Sequence, residues 1–176
     1  MTKKFFIGVF ILFIAFSTSS YAQFNPYSND SKLLSVGVGI SGWGVPIYAR
    51  YEQAVADNIT VGGTFSMQSK TENISGNKWK NNIFGLNARG SYHFNELLNA
   101  PDEWDFFAGA SLGYYFWNVS YEGSGSYVYP GSGSGGFSLG AHVGGRYFIS
   151  DKIGITLEVG GGTVLAGGTL GVTFLL

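Results

Sequence analysis

The side chains able to do chemistry are few. Three arginines (Arg50, Arg89, Arg146), two glutamates (Glu52, Glu158) and two histidines (His93, His142) fall inside runs of alternating polarity. Arginine and glutamate so placed can form enclosed two-pronged ion pairs, because the guanidinium fork matches a carboxylate and gives up water more readily than an ammonium. A histidine set beside Glu158, or beside a serine such as Ser91, could begin a proton relay for acyl transfer. The sequence implies no exposed triad, however, so His93 and His142 are expected as hydrogen-bonded interior residues. With two histidines, scattered acids and no cysteine there is no metal-ligand spacing, and no cofactor is expected. The run Gly131-Ser132-Gly133-Ser134-Gly135-Gly136 lacks the lysine and the strand-to-helix setting of a phosphate loop and reads as a flexible connection. Tyr121, Tyr127 and Tyr129 lie in the same Ser/Gly stretch. That composition suits a recognition surface and equally an extended hairpin tip without a partner.

The elements that carry these residues alternate with a period of two, the signature of strands. Eight are predicted, over 33–41, 46–54, 59–68, 82–94, 104–118, 137–149, 153–160 and 169–176. The last pair is the clearest. Ile153, Ile155, Leu157 and Val159 share one face, Leu170, Val172, Phe174 and Leu176 another, and Leu175 is the single apolar residue on the small polar side. Short turns are expected at Asp57-Asn58, Asn95–Glu103 and Ser150-Asp151, and long polar loops at Ser69–Asn81 and Val119–Gly136. They are mostly about 9–14 residues long, against the roughly 9–11 that a tilted membrane-spanning strand needs.

Volume and charge decide which face points inward. An eight-stranded interior is only wide enough for side chains to fill or for one small ligand. Phe65, Phe84, Phe94, Phe106, Phe116, Phe137 and Phe174 share the apolar face with many aliphatics, too much for that interior. The opposite face is mostly Gly, Ser and Thr, far short of the roughly 25–35% charge of a soluble surface. All three arginines lie on this small face, together with Glu52 and Glu158, whereas every lysine beyond the leader sits at a strand end, loop or turn. The expected arrangement is therefore an all-β, eight-stranded antiparallel up-and-down barrel with lipid outside and a polar, plugged lumen. Three arginines against two glutamates leave one cation short of a carboxylate, to be served by Asn87, Tyr48 or water. An unpaired enclosed charge is costly, so the network should be complete. Trp43, Trp79, Trp104, Trp117, Tyr92, Tyr114 and Tyr147 cluster towards strand ends and are expected as interfacial girdles.

Lys3 and Lys4, an apolar run from Phe5 to Phe16 and the small-residue site Ser20-Tyr21-Ala22 form an export signal, 1–22, cleaved between Ala22 and Gln23. Residues 23–176 are then one barrel domain. Removing two lysines takes the formal charge from −1 to −3, which gives no footing for nucleic acid.

Taken together, the export signal, the eight alternating strands and the charged lumen resemble the small outer-membrane barrels of the OmpX and OmpA membrane-domain type. The runs Tyr48-Ala49-Arg50-Tyr51-Glu52 and Asp57-Asn58-Ile59-Thr60-Val61-Gly62-Gly63 resemble the second and third strands of the outer membrane protein beta-barrel domain family. The resemblance implies the outer membrane of a Gram-negative cell, contact with its lipid and lipopolysaccharide, and recognition of the C-terminal strand by the barrel-insertion machinery. In that family this strand commonly ends in an aromatic residue; here Phe174 stands two residues before Leu176. A monomer is expected, with no enzymatic activity and a structural or surface-interaction role through loops 69–81 and 119–136. The alternatives are a narrow porin-like channel and a lipid-modifying enzyme. The sequence names no external ligand.

Overall fold

The structure, a computed structural model, describes residues 31–42, 44–74, 77–122 and 134–176, with the side chains of 71–79 and 120–122 left aside. Eight strands run in order and close on themselves: β1 (Lys32–Ser41), β2 (Ile47–Ala56), β3 (Ile59–Ile74), β4 (Asn77–His93), β5 (Trp104–Glu122), β6 (Gly135–Ser150), β7 (Ile153–Gly162) and β8 (Gly167–Leu175). Each is antiparallel to its neighbours, and β1 pairs with β8, as in Val36 opposite Val172. Closure leaves no edge along the height that all eight strands share.

Alternation fixes the faces. Outward on β1, β3, β4, β5 and β7 stand Val38, Phe65, Leu86, Leu112 and Leu157, exposed by 48%, 51%, 62%, 57% and 60%. So wide an apolar belt has no counterpart on soluble monomers and needs lipid tails against it. The inward positions are small or polar and almost fully buried, among them Ser35, Thr60, Thr64, Ser66, Thr156 and Thr173. Leu175, the apolar exception on the inward side of β8, packs with Leu33 and Phe148 in a small greasy cluster at the barrel end that holds the β2–β3, β4–β5 and β6–β7 turns.

Those turns are tight. Asn58 adopts φ 62 between β2 and β3, a left-handed conformation that asparagine tolerates better than most residues. The segment expected as a plain turn between β4 and β5 contains a single helical turn, α1 (Asn95–Leu98). Asn95 stitches it to β5: its Nδ2 donates to Trp104 O at 2.9 Å and its Oδ1 accepts from Phe106 N at 2.6 Å.

Strand length departs from the expectation. β1, β2, β7 and β8 have 10, 10, 10 and 9 residues, enough to span and no more. β3, β4, β5 and β6 have 16, 17, 19 and 16. Their excess over a span corresponds to roughly 17–26 Å of strand, and it all lies at the end opposite the turns. The 69–81 stretch is therefore not a loop. The β3–β4 ladder continues through it to Ile74 opposite Asn77, because backbone pairing needs no apolar side chains once the strands leave the membrane. Likewise β5 runs on to Glu122 and β6 begins at Gly135, so the expected 119–136 loop is shorter at both ends.

Candidate functional site

The chemistry-bearing residues meet in one layer across the lumen. Neighbouring inward positions on β2, β4, β6 and β7 aim Arg50, Glu52, Arg89, Arg146 and Glu158 at a common centre, and each is 7% exposed or less. Glu158 takes Arg50 with both oxygens, 2.9 Å from Nη2 and 2.9 Å from Nη1, and accepts from Arg89 Nη2 at 3.0 Å. Glu52 bridges the next pair, with Arg89 Nε 3.2 Å from one oxygen and Arg146 Nη2 3.1 Å from the other. These five residues form one connected network.

The third carboxylate is Asp105, which the sequence reading missed. Arg146 Nη1 donates to its Oδ2 at 3.0 Å, and the residue is 0% exposed. Three guanidiniums thus face three carboxylates, and neither Asn87 nor Tyr48 fills that role. The signal was available: Asp105 is the first inward position of β5, with the parity of Phe107, Gly109 and Ser111. It lies within the predicted fifth strand, 104–118, whose inward residues the sequence reading starts only at Phe107.

Phe107 is the other inward residue whose importance alternation alone did not reveal. It is 0% exposed, with Arg146 over its ring at 5.3 Å and Arg89 at 6.0 Å. The rings of His93 and His142 tilt against it at 5.8 and 6.1 Å. A desolvated cation over an aromatic face gains up to about 2 kcal/mol, so this phenyl ring is part of the charged layer and not a foreign body in it.

Both histidines point inward as expected. His93 Nδ1 lies 2.7 Å from Asp105 Oδ1, and its Nε2 lies 2.9 Å from Thr60 Oγ1. This is a hydroxyl–imidazole–carboxylate line, but Thr60, His93 and Asp105 are all 1% exposed or less and Phe107 covers the ring. No substrate carbonyl can reach the hydroxyl, so the line works as a strut tying β3, β4 and β5 together. Ser91 does meet a histidine, with Oγ 3.0 Å from His142 Nε2. Glu158 is held by Arg50 and Arg89. Among the described residues no cluster of three metal-ligating side chains occurs.

The girdle prediction holds in part. At the turn end Trp104 packs on Tyr147 at 5.0 Å and on Phe106 at 5.5 Å, with Tyr92 also outward. Towards the other end Tyr114 packs on Phe116 and Phe137 at 5.1 and 5.8 Å. Trp117 is not a girdle residue: it has inward parity on β5, and its Nε1 donates to Asn81 Oδ1 at 3.2 Å. Tyr121 belongs to β5 by its backbone. Its side chain and that of Trp79, together with Trp43, Tyr127, Tyr129 and the Ala22-Gln23 site, lie outside the described residues.

No protein-family model and no curated protein matches the chain. Solved structures do match. Neisserial surface protein A aligns with a TM-score of 0.54 at 12% identity, over 83% of this chain and 95% of that one. The attachment invasion locus protein Ail of Yersinia pestis, solved with the heparin analogue sucrose octasulfate, aligns with a TM-score of 0.51 at 12% identity, over 84% and 96%. Ail is an outer membrane protein. At such identity the likeness is one of fold, and the fold is that of the small eight-stranded outer-membrane barrels.

Proposed function

We propose that this chain is an integral outer-membrane barrel that conducts nothing and works through its outer surface. Its lumen is closed by the arginine–carboxylate layer and by the Leu33–Phe148–Leu175 cluster, and its surface-interaction element is the tall wall formed by β3 to β6. One observation carries the reading: half of the barrel stops at the length of a span while the other half continues well beyond it, above an interior whose charges are all paired. The outward apolar belt supports the membrane setting, and the short turns mark the periplasmic side. In this reading residues 1–22 direct export, Gln23 begins the mature chain, and β8 serves as the segment read by the insertion machinery. The protein acts as a monomer in contact with lipid and lipopolysaccharide, without enzymatic activity.

Two measurements test it together. Reconstituted into planar bilayers, the protein should give no sustained open current; steady single-channel steps would make it a pore instead. In cells, a Lys70→Cys variant, introduced into a chain with no native cysteine, should react with a membrane-impermeant maleimide from outside. Labelling of the Lys70→Cys variant only after the envelope is breached would place the tall wall on the wrong side.

A further inference from the structure

Above the charged layer the lumen is not filled. A cavity of ≈ 30 Å³ lies there, with Arg89, His142 and Glu158 at its floor and Thr64, Asn87 and Ser138 on its wall. It is bordered by Thr163, exposed just past the end of β7, and by the outward-facing Leu139 and Gly161. Its roof is Val164 of the β7–β8 connection, 3% exposed and held down by Gln68 Nε2 donating to Val164 O at 3.1 Å.

Gly85 lies beside this space and lets its neighbours close in. A Cβ at this inward position of β4 would stand 2.7 Å from Ser66 Oγ, 3.1 Å from Val164 Cγ1 and 3.4 Å from Asn87 Nδ2. The missing side chain is thus the point on which these three groups converge. Thr64 Oγ1, Ser66 Oγ and Asn87 Oδ1 are buried without a protein hydrogen-bond partner, Thr64 and Asn87 in the cavity lining and Ser66 beside it. Their residues are 3%, 1% and 5% exposed. A buried polar atom left unpaired costs about 1–3 kcal/mol. A space of this size takes about two waters, each needing two to four polar partners. Arg89 and Glu158 neutralise one another at the floor, so the lining favours neither sign of charge.

We propose that the outer half of the lumen is a hydrated blind pocket. It is entered from the cell exterior past Thr163 and Val164, binds water and small uncharged hydrogen-bonding molecules on Thr64, Ser66 and Asn87, and ends on the Arg89–Glu158 pair. The inference rests on the closed-lumen reading above and adds to it where the closure lies.

The absence of native cysteine makes the test direct. Single Ser138→Cys and Ser111→Cys variants place a thiol on the pocket wall, and Thr173→Cys and Ser35→Cys place one beyond the charged layer. Each is folded, checked by its heat-dependent gel mobility, reconstituted and treated with the small neutral reagent methyl methanethiosulfonate. The thiolate attacks the reagent's sulfenyl sulfur to form a mixed disulfide, and methanesulfinate leaves. The pocket thiols should react in the folded barrel, at least tenfold faster than Thr173→Cys and Ser35→Cys, which should react only after unfolding. Pocket thiols as protected as Thr173→Cys would overturn the proposal. Fast reaction at all four positions would leave the pocket standing and defeat the closed-lumen reading instead. If Ser138→Cys does not fold, Ser111→Cys carries the comparison.

Discussion

Asp105 and Arg146 stand directly opposite one another on β5 and β6, and Arg146 Nη1 donates to Asp105 Oδ2 at 3.0 Å inside the barrel. The pair joins two systems. Through Arg146 it reaches Glu52 and the other arginines; through the second oxygen of Asp105 it reaches His93 and Thr60.

Removing one member should therefore cost more than an ordinary ion pair. Arg146→Met leaves both Glu52 and Asp105 short of a partner where water does not reach them. The expected loss is about 3–5 kcal/mol, the usual cost of stranding a buried charge, measured as the urea midpoint of reversible unfolding in lipid vesicles. Because the pair is enclosed, added salt should change the wild-type midpoint little.

The glycines divide into those that are needed and those that are not. A Cβ at Gly109 would stand 2.7 Å from His142 Nε2 and collide with Gly90 O, whereas at Gly161 it would meet nothing within 4 Å. Gly109→Val should prevent formation of the heat-modifiable folded species. Gly161→Ala should fold normally, with stability changed by no more than about 1 kcal/mol.

The outward belt makes a prediction that a soluble barrel would not share. Leu157 is mid-strand on β7 and 60% exposed. Leu157→Arg should cost about 2–4 kcal/mol in a bilayer, as arginine does near the midplane of such barrels. On a water-facing strand the same change would stay within about 0.5 kcal/mol. Unfolding titrations in lipid distinguish the two.

The apolar cluster at the turn end should matter as a core does. Phe148 is 4% exposed against Leu33 and Leu175. Phe148→Ala should lower stability by about 3–5 kcal/mol, and Leu175→Ala, in a residue only half-buried, by less. Equal and negligible losses would mean that this end is loosely packed.

Much of this was legible from the order of residues. Period-two alternation assigned the faces of all eight strands, because a barrel wall has lipid on one side and a crowded interior on the other. It also brought Arg50, Glu52, Arg89, Arg146 and Glu158 to one place. Two things escaped. Asp105 sits inside the predicted fifth strand with the parity of Phe107, yet as the second residue of that strand it is missing from the expected inward charges. The height of the wall was hidden because Lys70 to Lys80 offers no apolar stripe: beyond the membrane only backbone hydrogen bonds hold the ladder, and these leave little mark on composition. Trp117 shows the same limit from the other side. Its type and position near a strand end suggested an interface, and its parity sent it to the mouth.

The unequal strands have one more consequence. Gln68 to Ile74 continue β3 past Met67, the last residue with a partner on β2, and Gly135 to Leu139 start β6 before its ladder with β7 begins. At this end the described barrel is a half-open collar, high along β3 to β6 and low along β7, β8, β1 and β2. The flank of the high side is a strand surface that a large particle meeting this end can lie against, whereas the low side offers it only the ends of short strands.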